Sequence, residues 1–265
     1  MGVLNVTPDS FSDGGTYLDP QRAIERGRKL EGEGADFIDI GGESSRPGSD
    51  PVSVQEELRR VLPVVENLSK HVAIPISIDT YKSEVAKAAL EAGAEIVNDI
   101  SGMCSDPRMP ETIASNDACV VLMHMKGSPK TMQIEPTYID VIREVSDFLR
   151  TQAETIARRG ARRIILDPGI GFGKTLEHNL HLLRHLDRLK ELHYPLLIGV
   201  SRKSFIGKLL DLPVEDRLEG TAAAVTASIL RGANIVRVHD VRQMKRVAIV
   251  ADALKDIPPQ ATAHG

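Results

Sequence analysis

The sequence predicts an α/β protein, a (β/α)8 TIM barrel formed by a single domain. Apolar, strand-like runs alternate with helical patterns along the chain, and this alternation gives eight β/α pairs without a break in composition. The length of 265 residues is also close to the usual size of one such barrel. An open, doubly wound sheet is the competing fold, and the element count favours the barrel. We predict that residues 1–256 form the barrel and that residues 257–265 are a loose tail.

Local signals place the elements of the first half of the chain. Asp19 and Pro20 have the features of an N-cap and a first helical residue. Ser53 and Glu56 have the spacing of a capping box, and Gly93 is typical of a residue just after a helix. Together with the apolar runs, these signals predict strands at residues 2–5, 37–40, 75–79 and 96–98, and helices at 20–33, from 53 and at 82–92.

The second half continues the same alternation. Its longest predicted helix covers residues 137–159, where apolar side chains recur at helical spacing on one face. The apolar strand runs do not alternate with polar residues, as expected for parallel strands covered on both faces. Strands are predicted at residues 120–124, 164–167, 196–200 and 235–238, and the other helices at 108–114, 176–192, 216–231 and 241–254.

Composition excludes several function classes. Hydrophobic residues make up 42% and charged residues 26% of the chain, as in ordinary globular proteins. A net charge of −4 gives no basic field for a nucleic acid, and the chain has no Trp to stack on exposed bases. No apolar stretch reaches the roughly 18–20 residues that span a bilayer, and the N-terminus lacks signal-peptide features. Cys104 and Cys119 are expected to be reduced thiols, and we predict a cytoplasmic protein without nucleic-acid or membrane partners.

Polar residues stand at the ends of the predicted strands. The active sites of α/β barrels are built at the carboxyl ends of the strands, so these residues are expected to share one mouth. They are Asn5, Asp79, Asn98, Asp99, His124, Asp167, Ser201, Lys203, Arg237 and His239, with Glu43, Ser45 and Arg46 in the loop after the second strand. The expected mouth therefore combines carboxylates, amides and cationic groups.

Three of these residues have side chains that suit a planar heterocycle. Asp79, Asn98 and Asp167 end separate strands and offer oxygen acceptors to the N–H donors of such a ring. Each of them alone is equally well explained as a helix N-cap. Three such residues at one barrel mouth favour ligand binding.

Cationic residues follow the last two strands. Barrels commonly bind phosphate after strands seven and eight, where Lys203, Arg237 and His239 stand. A solvent-exposed position is the usual alternative for Lys and Arg, but Arg237 lies within an otherwise apolar strand. Asn5 is the residue that we expect to bind magnesium, because neutral oxygen ligands suit this ion when substrate phosphates supply the charge.

The glycine-rich segment 167–175 is interpreted as a tight turn. A phosphate-binding loop needs glycine five positions before its Gly-Lys pair, and Pro168 stands there instead. We expect the glycines to permit close backbone approach to a flat ligand and Phe172 to form an apolar wall. No paired-histidine motif accompanies His124, so a zinc site is not expected.

Segments from end to end of the chain resemble the dihydropteroate synthase family of pterin-binding enzymes. The matching segments are 1–15 (MGVLNVTPDSFSDGG), 39–48 (DIGGESSRPG), 77–80 (SIDT), 98–102 (NDISG), 122–125 (LMHM), 167–174 (DPGIGFGK), 199–204 (GVSRKS) and 237–241 (RVHDV). The first, sixth and seventh of these are highly specific. The chain departs from the family pattern at Ser45, where threonine is usual.

The resemblance implies the condensation of 6-hydroxymethyl-7,8-dihydropterin diphosphate with 4-aminobenzoate, which gives 7,8-dihydropteroate and diphosphate in folate biosynthesis. The residues that it implies fall into overlapping groups. Asp79, Asn98, Met123, Asp167, Gly199 and Lys203 bind the pterin, Asn5 (also on Mg²⁺), Arg46, Arg237 and His239 bind the diphosphate, and Ser45, Pro47, Phe172, Lys203 and Ser204 bind 4-aminobenzoate. The implied catalytic residues are Asp79, Lys203, Arg237 and His239. The family also implies sulfonamides as inhibitors and a homodimer.

In the implied reaction, catalysis is expected to act mainly on the leaving group, because an aromatic amine is a weak nucleophile. Magnesium and the cationic side chains are expected to stabilise the charge on the departing diphosphate, and Asp79 the cationic carbon left behind. A pterin-dependent methyltransferase, which passes a methyl group to a corrinoid, is one alternative, although it has little use for Arg237 and His239. A catalytically silent paralogue is the other, although the site residues are retained.

Overall fold

The computed structural model describes residues 1–7, 20–45 and 48–255. Arg46 and Pro47 of the predicted site, and the predicted tail, lie outside the described residues. The division between barrel and tail at residue 256 therefore stays a prediction. The described strands are β1 (Gly2–Asn5), β2 (Ile38–Gly41), β3 (Ile76–Asp79), β4 (Ile96–Asp99), β5 (Cys119–Met123), β6 (Arg163–Asp167), β7 (Leu197–Ile198) and β8 (Ile235–Val236).

These strands close into a barrel. Strands β1 to β6 pair in parallel in sequence order, and β7 pairs in parallel with β8. Parallel bridges Leu166–Leu196 and Gly2–Val238 join the two sheets at both edges. The backbone N–H of Val3 also donates to the Val238 carbonyl at 3.0 Å. The predicted barrel is thus confirmed over the open sheet, because the last strand lies next to the first.

Helices connect successive strands. The described α-helices are α1 (Pro20–Gly32), α2 (Val54–Leu68), α3 (Ser83–Glu91), α4 (Met109–Ser115), α5 (Val141–Arg158), α6 (Leu176–Arg184), α7 (Ser204–Leu210), α8 (Leu218–Leu230) and α9 (Val241–Lys255). Short 3₁₀ helices cover Leu186–Leu192 and Val214–Asp216. Among these helices, none combines the length and the apolar character needed to cross a membrane.

Three helices differ from the sequence prediction. The helix predicted from residue 137 begins at Val141, because the Asp140 carboxylate accepts hydrogen bonds from the N–H groups of Ile142 and Arg143 and caps it. The helix predicted over 176–192 is α-helical only to Arg184 and continues as a 3₁₀ helix. Helix α7 is absent from the prediction, since its seven residues are too few for a clear helical period.

Alternate residues of the strands belong to two separate apolar layers. One layer consists of Met1, Ile96, Val121, Ile165 and Leu197. These residues lie in different strands or, for Met1, directly before β1, so they meet inside the barrel. Their neighbours along the strands, such as Val97 and Leu122, pack against the helices. Because side chains two residues apart face the same way, the strand-end residues two positions beyond the interior layer face the barrel mouth. They are Asn98, Met123, Asp167 and Gly199.

The glycine-rich turn after β6 packs against the chain that follows β5. Gly169 and Gly173 have positive φ angles of 66° and 63°, where residues with side chains are strained. A Cβ atom at Gly169 would lie 1.9 Å from the His124 carbonyl oxygen, and one at Gly173 would lie 2.3 Å from that of Lys126. At these two glycines the close approach is to the backbone of the chain itself, and the expected approach to a flat ligand stays a prediction.

We expect Gly169→Ala to lower the free energy of unfolding by at least about 2 kcal/mol, because the added methyl group meets a backbone oxygen at a left-handed φ. Gly32→Ala is the matched control, since a Cβ atom at Gly32 meets no atom within 4 Å and alanine is the better helix former. Urea unfolding followed by circular dichroism measures both variants. Equal stability of the two would contradict the prediction.

Candidate active site

A largely buried ion pair joins the end of β8 to β2 and β3. The Arg237 guanidinium donates from Nε to Asp39 Oδ2 at 2.6 Å and from Nη2 to Asp79 Oδ2 at 2.8 Å. Arg237 directly follows β8, Asp39 is fully buried in β2, and Asp79 ends β3. The structure therefore brings the predicted residues Asp79 and Arg237 into direct contact.

Asp39 also binds Asn98, near the end of β4. Asn98 Nδ2 donates to the same Asp39 oxygen at 3.0 Å. Sequence reasoning missed Asp39, although a signal was present. Asp39 interrupts the apolar run around Phe37, Ile38 and Ile40, and a carboxylate at the centre of a buried strand needs a buried partner.

The ion pair has shifted titration properties. Burial raises the pKa of Asp79 from 3.8 to about 7. Arg237 opposes this shift, whereas the negative charges of Asp39, Glu57 and Asp99 add to it. Burial also opposes the charge of Arg237, but Asp39 and Asp79 outweigh burial and hold the pKa of Arg237 above its ordinary value. A permanent cation therefore lies beside a carboxyl group that titrates near neutral pH.

Lys203 lies between the glycine-rich turn and the mouth. Its ammonium group donates to the Ile170 carbonyl and lies 4.6 Å from the centre of the Phe172 ring. Burial lowers the pKa of Lys203 to about 8, although Asp167 acts in the opposite direction. Burial likewise raises the pKa of Asp167, and Lys203 opposes that shift. A Cβ atom at Gly199 would lie 3.8 Å from Lys203 Nζ, so four predicted site residues are neighbours here.

The two cations of the Ser-Arg-Lys segment have different environments. Arg202 has a left-handed φ of 57° and forms a two-point ion pair with Asp240 at 2.6 and 2.8 Å. This contact ties the loop after β7 to the turn after β8. Arg202 therefore holds the loop, while Lys203 extends to the mouth.

The Ser201 hydroxyl group orients His239. Its oxygen accepts a hydrogen bond from the His239 backbone N–H at 3.2 Å and lies 3.0 Å from His239 Nδ1. Since the oxygen already accepts one hydrogen bond, the hydroxyl hydrogen is free to donate to Nδ1. That arrangement leaves the proton of a neutral imidazole on Nε2, where it is a donor for an anion.

Lys174 is a buried cation that sequence reasoning did not select. Its ammonium group donates to the carbonyl oxygens of Gly169 and Phe172 at 3.0 and 2.9 Å, and it lies 2.9 Å from His124 Nδ1. Burial lowers the pKa of Lys174, and burial together with Lys174 lowers the pKa of His124 to about 3. A neutral His124 ring accepts the hydrogen bond, so His124 helps to hold the glycine-rich turn.

Asp99, the neighbour of Asn98, supports the loop after β4. Its carboxylate accepts hydrogen bonds from the Ser101 N–H and hydroxyl groups, both at 2.7 Å, and from the Met103 N–H at 3.1 Å. Asp99 therefore orders the turn after β4 through local side-chain-to-backbone contacts. Asp167 uses one oxygen in a similar way, since it accepts from the Gly169 N–H at 2.7 Å.

Glu43 anchors the loop after β2. Its carboxylate accepts hydrogen bonds from the Tyr81 hydroxyl group and, at 2.6 Å, from the Lys82 ammonium group. Both partners directly follow the end of β3, so the loop is tied to the segment that carries Asp79. Ser45 borders a small cavity together with Glu43 and Asp79, which places this residue at the same mouth.

The remaining predicted residues lie where strands or helices begin or end. Asn5 ends β1 and is partly exposed, and its carboxamide has no hydrogen bond among the described residues. Met123 ends β5 and is buried, and Ser204 is the exposed first residue of α7.

A cleft of about 240 Å³ lies at the opposite end of the barrel, where Met1 and Phe37 line it. None of the predicted site residues that the structure describes borders that cleft, so the mouth is the candidate site.

The chain matches known proteins over nearly its whole length. The model of the family described as pterin binding enzyme matches residues 1–239. A dihydropteroate synthase of Synechocystis sp. is 50% identical over 257 residues, which cover 96% of this chain and 89% of that protein. The crystal structure of Yersinia pestis dihydropteroate synthase in complex with a sulfonamide drug has a TM-score of 0.91 and 42% identity, and covers 96% of this chain and 93% of that one.

A second solved structure gives the same result. Xanthomonas albilineans dihydropteroate synthase with 4-aminobenzoic acid has a TM-score of 0.91 and 45% identity, and the match covers 97% of this chain and 93% of that one. Sequence and structure thus agree across the barrel and confirm the resemblance drawn from the motifs. This chain belongs to the pterin binding enzyme family.

Proposed function

We propose that the protein catalyses the dihydropteroate synthase reaction. It transfers the pterin-methyl group of 6-hydroxymethyl-7,8-dihydropterin diphosphate to 4-aminobenzoate, and it releases 7,8-dihydropteroate and diphosphate in folate biosynthesis. The observation that carries the proposal is the meeting of the Asp79–Arg237 ion pair with Asn98 and Lys203 at one barrel mouth. A relative named for this activity at 50% identity supports it.

Neither alternative explains the mouth as well. A pterin-dependent methyltransferase has no leaving diphosphate, and it gives no role to His239, whose Nδ1 lies 3.0 Å from the Ser201 hydroxyl oxygen. A catalytically silent paralogue would be expected to have lost site residues, yet Asp79 and Arg237 are present and in contact. Ser45 keeps the hydroxyl group of the threonine that is usual at its position.

The pterin is proposed to bind at the polar ends of the middle strands. Asp79, Asn98 and Asp167 offer oxygen acceptors to the N–H groups of the ring. Met123 and Gly199 are proposed to face the pterin ring from the same mouth, where Gly199 puts no side chain against Lys203. The burial that shifts the pKa values of Asp79 and Asp167 also strengthens each hydrogen bond that they accept.

The diphosphate is proposed to bind Arg46, Arg237 and His239. Asn5 fits a magnesium ion that arrives with the diphosphate, because it is a neutral oxygen donor and the described residues contain no group of three or more carboxylates, histidines or cysteines that would hold a resident ion. When bound, the ion neutralises charge on the leaving group. Arg237 and the His239 Nε2–H donate to the same anion.

The 4-aminobenzoate is proposed to bind between the loop after β2 and the segment after β7. Ser45 and Pro47 belong to the first, and Lys203 and Ser204 to the second. Phe172 forms the apolar wall, and the Lys203 ammonium group lies over its ring. The bound sulfonamide drug in the Yersinia pestis enzyme supports sulfonamides as inhibitors of this protein also.

Departure of the diphosphate leaves a cationic carbon attached to the pterin, and the amine attacks that carbon. An ionised Asp79 stabilises this charge as it develops, and Arg237 stabilises the opposite charge on the leaving group. Asp79 and Arg237 are already in contact in this structure. Each side chain carries the charge opposite in sign to the one that it stabilises in the transition state. The site is thus arranged for dissociation before the substrate arrives.

A cytoplasmic homodimer is part of the same proposal. Exposed apolar side chains cluster on α7 and the segment after it, at Leu209, Leu210, Leu212 and Val214. Such a cluster suits a subunit interface. Sedimentation velocity measures the oligomeric state.

We expect diphosphate release to require the pterin diphosphate, 4-aminobenzoate and magnesium together. The reason is that Arg237 is already paired with two carboxylates, so it needs a metal ion to share the charge of the leaving group. A coupled assay for diphosphate, with each component omitted in turn and with excess EDTA, tests this. Full activity in EDTA would refute the magnesium proposal, and no release with all components would refute the reaction.

Asp79→Asn is expected to lower kcat by about 100-fold and to change KM for the pterin diphosphate much less, because the lost charge acts mainly in the transition state. In the unchanged protein, kcat/KM should fall below a pH of about 7, where Asp79 takes up a proton. Asp79→Asn should lose this acid limb, whereas Asp147→Asn, an exposed carboxyl group on α5, should keep it. A raised KM with unchanged kcat would contradict the role.

The same titration has an effect on stability with a defined sign. Because the pKa of Asp79 is higher in the folded protein than its ordinary 3.8, its contribution to stability is full below that pH and is lost as pH rises to about 7. Asp79→Asn should remove this loss. Urea unfolding of both proteins between pH 4 and pH 8 measures the difference, and parallel curves would rule the shift out.

A further inference from the structure

One oxygen of Asp39 serves two side chains of the mouth. Asp39 Oδ2 accepts from Arg237 Nε at 2.6 Å and from Asn98 Nδ2 at 3.0 Å. Asp39 is 0% exposed, so it lies beneath these two residues and out of reach of a ligand. It therefore acts on a ligand only through them.

Asp39 compensates the buried charge of Arg237, but fold stability alone does not require a buried ion pair at this position. Asp39 Oδ1 has no hydrogen-bond partner among the described residues, and neither does the Oγ of Ser77, its register partner on β3. Unpartnered buried oxygens lower stability, and well-packed apolar residues often replace buried ion pairs without loss. The position of Asp39 thus has an energetic cost, and the candidate benefit is the orientation of its two partners.

The contact with Asp39 determines what Asn98 presents to the mouth. A carboxamide has a donor end and an acceptor end of nearly the same shape, and a rotation of 180° exchanges them. Because the Asp39 oxygen binds the nitrogen, the Asn98 oxygen is left without a hydrogen bond among the described residues. Asn98 is thereby set as an acceptor. Without Asp39, the rotated form would place a donor opposite the N–H donors of a pterin.

The contact also determines which edge of Arg237 is occupied. Nε and Nη2 are held by Asp39 and Asp79, whereas Nη1 has no hydrogen bond among the described residues. The side chain is 22% exposed. The planar guanidinium group is thus fixed with one edge against the barrel and one nitrogen left for an anion.

We propose that Asp39 is a positioning residue, which orients the Asn98 carboxamide as an acceptor for the pterin and the Arg237 guanidinium group as a donor for the diphosphate. The inference rests on the proposed function for the identity of the two ligands. It predicts that Asp39 affects pterin binding through Asn98 and affects diphosphate binding independently of Asn98.

Calorimetry with two separate probes tests the inference without catalysis. The probes are 6-hydroxymethyl-7,8-dihydropterin, which lacks the diphosphate, and pyrophosphate with magnesium. Asp39→Ala and Asn98→Ala are each expected to raise the Kd of the pterin by about tenfold. The double variant is also expected to raise it by about tenfold, because Asp39 acts on the pterin through Asn98. Independent effects would multiply to about a hundredfold. Asp39→Ala should also weaken pyrophosphate, whereas Asn98→Ala should leave it within about threefold.

Asp39→Asn is the control variant, because asparagine has nearly the same size and shape as aspartate and is expected to preserve the fold. Its amide oxygen is able to accept from Asn98 as the carboxylate does, so pterin affinity should stay within about threefold of the unchanged protein. Circular dichroism establishes that each variant is folded, and Asp39→Asn decides the question if Asp39→Ala does not fold. A tenfold loss of pterin affinity in folded Asp39→Asn, unchanged affinity in Asp39→Ala, or additive losses in the double variant would overturn the inference.

The outcome is separable from that of the proposed reaction. Unchanged protein that binds the pterin but releases no diphosphate from the two substrates would refute the reaction and leave the positioning role standing. Diphosphate release together with additive losses of pterin affinity in the double variant would support the reaction and refute the positioning role of Asp39.

Discussion

The Arg237 guanidinium group is held by two carboxylates inside the barrel, and the arrangement of the mouth depends on this contact. A cation at that depth is strongly destabilising unless it is paired, so β2, β3 and β8 must bring Asp39, Asp79 and Arg237 together. Asn98 on β4 joins through the same Asp39 oxygen. Strands that are far apart in sequence are therefore related by polar contacts in addition to their hydrogen-bonded ladders. The mouth has a defined geometry before any ligand binds.

The loops of the mouth are held by other polar contacts that do not face the ligand. Glu43 ties the loop after β2 to Lys82, and Arg202 ties the loop after β7 to the turn after β8. Lys174 holds the glycine-rich turn from beneath. Glu43 and Arg202 are each paired with an opposite charge, and Lys174 donates to backbone carbonyl oxygens, so these groups are engaged in holding loops. Asp79 and Lys203, whose pKa values are also shifted, lie at the mouth instead. The charged residues that hold the loops are thus different from the charged residues that are proposed to bind the ligands, although both sets lie at the same end of the barrel.

Much of the fold follows from local sequence patterns. The apolar runs predicted all eight strands, and the count of strand and helix pairs predicted the barrel, because parallel strands buried on both faces have few polar interruptions. The strand-end positions of Asp79, Asn98 and Asp167 also followed from the runs, since an active site at the carboxyl ends is a property of the fold. The start of α5 and the break after α6 did not follow, because capping and 3₁₀ geometry depend on single contacts.

The sequence by itself determined the barrel, the family and the strand-end positions of Asp79, Asn98 and Asp167, because these depend on periodicity and on short motifs. Only the tertiary structure decided how those residues pair. It showed that Asp39 holds Arg237 and Asn98, and that Arg202 and Lys174 support loops. The physical reason is distance along the chain, since Asp39 and Arg237 are 198 residues apart. No local sequence pattern predicts which buried charged residues form ion pairs when the last strand pairs with the first.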